Sequence, residues 1–153
     1  MHTSTKPVVG PGKFQWNAGG WFGSSLGSSA WMLVVTYYLV ANSQSTVAMV
    51  PAIGFMVIMI ATLLLWSRRD RIYPYAAMMK ILGLTAFVIP FVWGVVQKYG
   101  SLQSRAAMNW PISQWPTVFV FVLVPAMMLW FLCLERLAVS QNRTLRQDSN
   151  TVA

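Results

Sequence analysis

Between Trp21 and Leu134 the chain repeats one pattern four times, a run of about twenty apolar residues followed by a polar break. The runs are residues 21–41 (WFGSSLGSSAWMLVVTYYLVA), 47–66 (VAMVPAIGFMVIMIATLLLW), 75–96 (YAAMMKILGLTAFVIPFVWGVV) and 115–134 (WPTVFVFVLVPAMMLWFLCL). At about 1.5 Å of rise per residue, each crosses a hydrocarbon layer of about 30 Å as a helix. Strands of a transmembrane barrel would alternate apolar and polar positions over about ten residues, and FMVIMIATLLLW does not alternate. The pattern therefore predicts an all-α integral membrane protein. Its four transmembrane helices form an antiparallel bundle over residues 19–137, between an irregular arm (1–18) and a polar tail (138–153) that frays.

Composition agrees with this. The chain is 56% hydrophobic and 9% charged, whereas about a quarter of the residues of a water-soluble domain carry charge. The first run is too long for the apolar core of a cleaved signal peptide, and LVANSQS is a poor cleavage site. Basic residues then orient the chain, because Lys and Arg are retained on the cytoplasmic side. Lys6, Lys13, Arg68, Arg69, Arg71, Arg136, Arg143 and Arg146 fall on the side of the two termini, and only Lys98 and Arg105 on the other. Both termini are expected in the cytoplasm, with the protein in the cytoplasmic (inner) membrane. Aromatic residues support this threading as interfacial belts, with Trp16, Trp21, Trp66, Tyr73 and Tyr75 inside and Tyr37, Tyr38, Trp93, Trp110 and Trp115 outside. The net charge of +8 is a topology signal with added attraction to anionic headgroups. It calls for no nucleic acid. The 97–114 loop, with a turn of helix around LQSRAAMNW, offers an exposed surface or a plain spacer.

Residues 19–31, GGWFGSSLGSSAW, resemble a linker in composition but not in arrangement. At about 100° per residue, Gly19, Gly20, Gly23, Gly27 and Ala30 fall within an arc of about 100°, while Trp21, Phe22 and Leu26 lie elsewhere. The spacing of Gly19, Gly23 and Gly27 is a doubled GxxxG stripe, which lets helices approach closely in lipid. Two readings follow: a seam between subunits or, as the default in a four-helix protein, a seat against helix 2 or 4 of the same chain.

The inventory for chemistry is thin. There is one histidine, His2, one cysteine, Cys133, and three acids, Asp70, Glu135 and Asp148. No metal-ligand spacing, paired carboxylate or Cys–His arrangement can be built within a helix, so no catalytic residue, metal or cofactor is expected. No acid or histidine lies within a span, as a proton-coupled transporter would need. Lys80, roughly 8 Å below the inner interface, either snorkels to the headgroups or faces the bundle, where it would attract an anion or pair with Glu135. Arg68, Arg69 and Arg71 in SRRDRIYP anchor the topology, and their forks also suit lipid phosphate. Pro90 and Pro125 predict kinks, since the carbonyls of Ala86 and Phe121 lose their partners. Thr85, Thr117 and Tyr37 would supply hydroxyls to a crevice opened there.

The expected function is that of a small non-enzymatic membrane protein acting through helix packing, as an oligomer or as an accessory subunit of a larger membrane complex. The alternative is a homo-oligomeric pore or facilitator for a small solute or anion, using helices 3 and 4 with Lys80 at an inner vestibule. An enzyme acting on lipid headgroups ranks last, because no nucleophile or base neighbours the arginines.

Overall fold

The computed structural model describes residues 7, 9, 10, 12–100 and 122–151, with side chains described as far as Asn142. These residues form four helices and no strand: α1 (Ala18–Ala41), α2 (Ser45–Ser67), α3 (Pro74–Tyr99) and α4 (Val124–Thr151). The first three are long and apolar enough to cross a membrane.

Local chemistry sets their ends. Asn17 is extended and its side-chain oxygen accepts the Gly20 N–H at 3.2 Å. This N-cap starts α1 three residues before the apolar run. At the other end Ser43 enters the left-handed region with φ 58°. That turn lets the Gln44 N–H reach the Leu39 carbonyl at 2.9 Å, and the Asn42 side chain donates to the Tyr38 carbonyl at 2.8 Å. Orphan carbonyls are thereby satisfied, and α2 begins at Ser45. Helix α3 opens on Pro74, where a missing N–H costs nothing.

Helices α1 and α2 run in opposite directions. Trp21 Nε1, early in α1, donates to the Thr62 carbonyl, late in α2, at 3.1 Å. Later in α1 and earlier in α2, Met32 meets Gly54. The core lies among the first three helices, with Met32, Val35 and Leu39 of α1, Ala48 and Ile58 of α2 and Val92 and Val96 of α3 buried together. Gly54 sits where all three converge. A Cβ there would lie 2.7 Å from Val92 Cγ2 and 3.3 Å from both Met32 Sδ and Val88 Cγ1. Ser25, Ser29, Thr62 and Thr85 are also buried. Each hydroxyl donates to a carbonyl of its own helix four residues back, at 2.6–3.0 Å, so it packs as a small side chain without leaving an unmet donor. The outward faces are as apolar as the core, with Met49, Ile53, Met56, Ile60, Leu63, Phe87 and Phe91 exposed. Helices apolar all round belong in lipid.

Among the described residues, no fourth spanning helix matches the fourth expected span. Residues 115–121 lie outside the described residues. The apolar part of α4 from Val124 to Leu134 extends only about 16 Å before Glu135 and Arg136. Of the tail expected to fray, residues 138–151 are helical, because α4 continues to Thr151. No glycine or proline follows Pro125 to stop it.

Candidate functional site

Chemistry-bearing side chains gather at the end of the bundle where α1 begins, α2 ends and α3 begins. The described residues of the arm before Ala18 cross this end without regular structure, and they are docked. Gly10 lies against Tyr73 and Pro74. Phe14 packs on Tyr75 at 5.9 Å and edge-on to Phe131 of α4 at 5.4 Å. Trp16 meets Trp21 at 5.0 Å and Trp66 at 5.6 Å, and Phe22 meets Trp66 at 5.3 Å. The Trp16 indole N–H is buried without a hydrogen-bond partner.

One turn on from Phe131 in α4 is Glu135, whose carboxylate accepts the Lys13 backbone N–H at 3.1 Å and rests directly against Gly12. A Cβ at position 12 would overlap that carboxylate, so any larger residue there must push the Glu135 side chain aside. Outside this contact, Tyr75, Leu132, Glu135, Arg136, Val139 and Ser140 line an open cleft of about 490 Å³. Cys133 is exposed.

Arg68, Arg69 and Arg71 occupy a tight turn after α2. Its hydrogen bonds run from the Arg69 N–H to the Trp66 carbonyl at 3.2 Å, and from the Arg71 and Ile72 N–H groups to the Arg68 carbonyl at 2.9 and 3.1 Å. The Arg69 guanidinium lies 4.8 Å from the centre of the Trp66 ring. Arg71 Nε is 3.7 Å from Asp70 Oδ2, while Arg68 is exposed.

The glycine stripe of α1 takes no part in this convergence. Gly19, Gly20, Gly23, Gly27 and Ala30 are exposed. Among the described residues no atom comes within 4 Å of a Cβ built at Gly20, Gly23 or Gly27. Helix α1 meets α2 through Ser25, Ser29, Met32, Val35 and Leu39 instead, a face almost diametrically opposite at about 100° per residue. The default expectation of a glycine seat against helix 2 is therefore replaced by a serine seat.

Lys80 is exposed and shares its side of α3 with Phe87 and Phe91, which are 81% and 67% exposed. It makes no ion pair with Glu135. Thr85 is buried, with its hydroxyl shared between the Ile81 and Leu82 carbonyls at 2.9 Å, whereas Tyr37 is 71% exposed on α1. These two hydroxyls do not converge. Pro90 lies inside α3, which remains helical through it. Pro125 lies at the start of α4 after a π-type turn at Val122 and Leu123. His2, Lys6, Arg105, Trp110, Trp115 and Thr117 lie outside the described residues, as do Phe121 and most of the 97–114 loop.

No protein-family model, curated protein or solved structure matches this chain. Its reading rests on its own geometry.

Three participants were not singled out in the sequence: Gly54, Pro51 and the Gly12–Glu135 pair. Gly54 has no glycine partner at GxxxG spacing. Pro51 is fully buried within α2, where its missing N–H frees the Val47 carbonyl. The pairing of Gly12 with Glu135 spans most of the chain and leaves no local signal.

Proposed function

We propose that this chain is a non-enzymatic, four-span protein of the cytoplasmic (inner) membrane that acts by helix packing. Both termini lie on the cytoplasmic side, and the glycine face of α1 pairs with a further transmembrane helix. That helix belongs to a second copy of the chain or to a larger complex in which the chain is an accessory subunit. The observation that carries this reading is the division of α1 into two faces. Its serine face is filled by α2, and its small-residue face is open among the described residues. Exposed glycine inside a helix costs roughly 1 kcal/mol relative to alanine, and an open glycine stripe returns this only when another backbone approaches.

Threading is supported by the gathering of Lys13, Arg68, Arg69, Arg71 and Arg136 at the arm end of the bundle, as retention of positive charge at the cytoplasmic face requires. The fourth span rests on the apolar run 115–134. The pore reading draws less support, because the side of α3 that carries Lys80 is lined by phenylalanines, which do not line a water-filled path for anions.

Extraction with surrounding lipid into polymer nanodiscs, followed by native mass spectrometry, tests the proposal. A homo-oligomer, or a complex with a second membrane polypeptide, is expected. A lone 17.1 kDa species at membrane-like density would overturn it.

A further inference from the structure

We infer that the Arg68–Arg71 turn, with Trp66 beneath it, is a binding site for the phosphodiester headgroup of an anionic phospholipid. The inference deepens the membrane reading and rests on it.

Three observations converge on this turn. It follows directly on the last apolar residue of α2, Trp66, so it stands at headgroup depth when α2 crosses the bilayer. The guanidinium of Arg69 is held in place, and Arg68 next to it is exposed to a ligand. Arg69 is half-buried and stacked 4.8 Å from the Trp66 ring. That ring is itself fixed by Trp16 at 5.6 Å and Phe22 at 5.3 Å, and the backbone bonds of the turn set Arg68 beside it.

The local acids leave these two arginines without a counter-charge. Asp70 is drawn to Arg71 at 3.7 Å, and Glu135 is occupied by the arm at Lys13. Among the described side chains, this end of the bundle carries Lys13, Arg68, Arg69, Arg71 and Arg136 against those two carboxylates. A planar guanidinium presents paired N–H donors that match two phosphate oxygens, and stacking on an aromatic face retains the fork's orientation. The partner is an anionic diester such as phosphatidylglycerol. A zwitterionic lipid presents the same phosphate with a cation attached, which this end of the bundle repels.

The test uses full-length protein in detergent, titrated with phosphatidylglycerol or phosphatidylcholine of matched chains and read by native mass spectrometry. Wild-type protein should retain phosphatidylglycerol in preference to phosphatidylcholine. Arg68→Gln and Arg69→Gln should each weaken phosphatidylglycerol binding roughly fivefold and leave phosphatidylcholine unchanged. Lys98→Gln, at the opposite end of α3, should change neither. Should Arg69→Gln fail to fold, Arg69→Lys keeps the charge but loses the fork and the stack, and should still lower the preference. Equal retention of both lipids by wild type, or undiminished phosphatidylglycerol binding in the Arg68→Gln, Arg69→Gln double variant, would overturn the inference. So would losses as large from Lys13→Gln or Arg71→Gln, which would show diffuse charge instead of a site. Resistance of the protein to carbonate extraction, measured on the same membranes, tests the membrane reading separately.

Discussion

Replacing Gly54 with alanine adds one methyl group where α1, α2 and α3 converge, and the structure fixes both terms of its effect. The new Cβ would lie 2.7 Å from Val92 Cγ2 and 3.3 Å from Met32 Sδ and Val88 Cγ1. Methionine can yield by changing rotamer. Val92 cannot, because it is fully buried and a valine within a helix has essentially one χ1 rotamer. The helices must therefore separate locally, and overpacking of this kind costs about 1–3 kcal/mol. Exchange of glycine for alanine within a helix offsets about 1 kcal/mol of that. A net loss of about 1 kcal/mol is expected for Gly54→Ala, and a larger loss for Gly54→Val. Reversible unfolding in bicelles or mixed micelles measures it. Val92→Ala should recover most of the Gly54→Ala loss in a double-mutant cycle, because the two side chains meet directly. The same alanine at Gly23 or Gly27 meets nothing within 4 Å among the described residues, and should leave the monomer's stability unchanged or slightly raised. Gly54→Ala as stable as wild type, or equal effects at positions 54 and 23, would refute this account of helix packing.

Trp21→Phe removes the hydrogen bond to the Thr62 carbonyl and part of the edge contact with Trp16. A loss of about 1–2 kcal/mol is expected in the same unfolding assay. Gly12→Ala places a Cβ on the Glu135 carboxylate, and Glu135→Gln weakens the bond to the Lys13 N–H by about 1 kcal/mol. Both should loosen the arm, speeding tryptic cleavage after Lys13 about fivefold and shifting Trp16 emission to the red, while the helical content stays unchanged. Ser43→Gly relieves a left-handed backbone at φ 58° and should stabilise the turn between α1 and α2 by up to about 1 kcal/mol.

The spans of α1, α2 and α3 were legible because length and uniform apolarity decide whether a helix crosses lipid, and both are local properties. Their faces were not. The glycine arc of α1 stands out in a sequence, but a glycine stripe is equally suited to an internal or an external neighbour. The internal neighbour instead meets Ser25 and Ser29, whose hydroxyls bond back to their own helix and so disappear as polar groups. The absence of helical periodicity in the arm was also legible, yet its docking depends on Phe14 and Trp16 meeting rings far along the chain. In the arginine turn, charge was visible at once. The pairing of Asp70 with a neighbouring arginine was legible too, and the fold decides that the partner is Arg71 and that Arg69 stacks on Trp66. The helical tail has a signal in the sequence, namely the lack of any breaker after Pro125. Its polarity had suggested fraying.

The central claim is that α1 offers its glycine face to another helix, and cysteine cross-linking in native membranes tests it most directly. On a Cys133→Ser background, single cysteines at Gly20, Gly23, Gly27, Ser25 and Ser29 would be labelled with a thiol-reactive photo-crosslinker, irradiated and the products separated by mass. The account predicts cross-linked species from positions 20, 23 and 27 and none from 25 and 29, which face α2. Cross-linking at the serine positions with none at the glycines, or no cross-linking at any of the five, would contradict it.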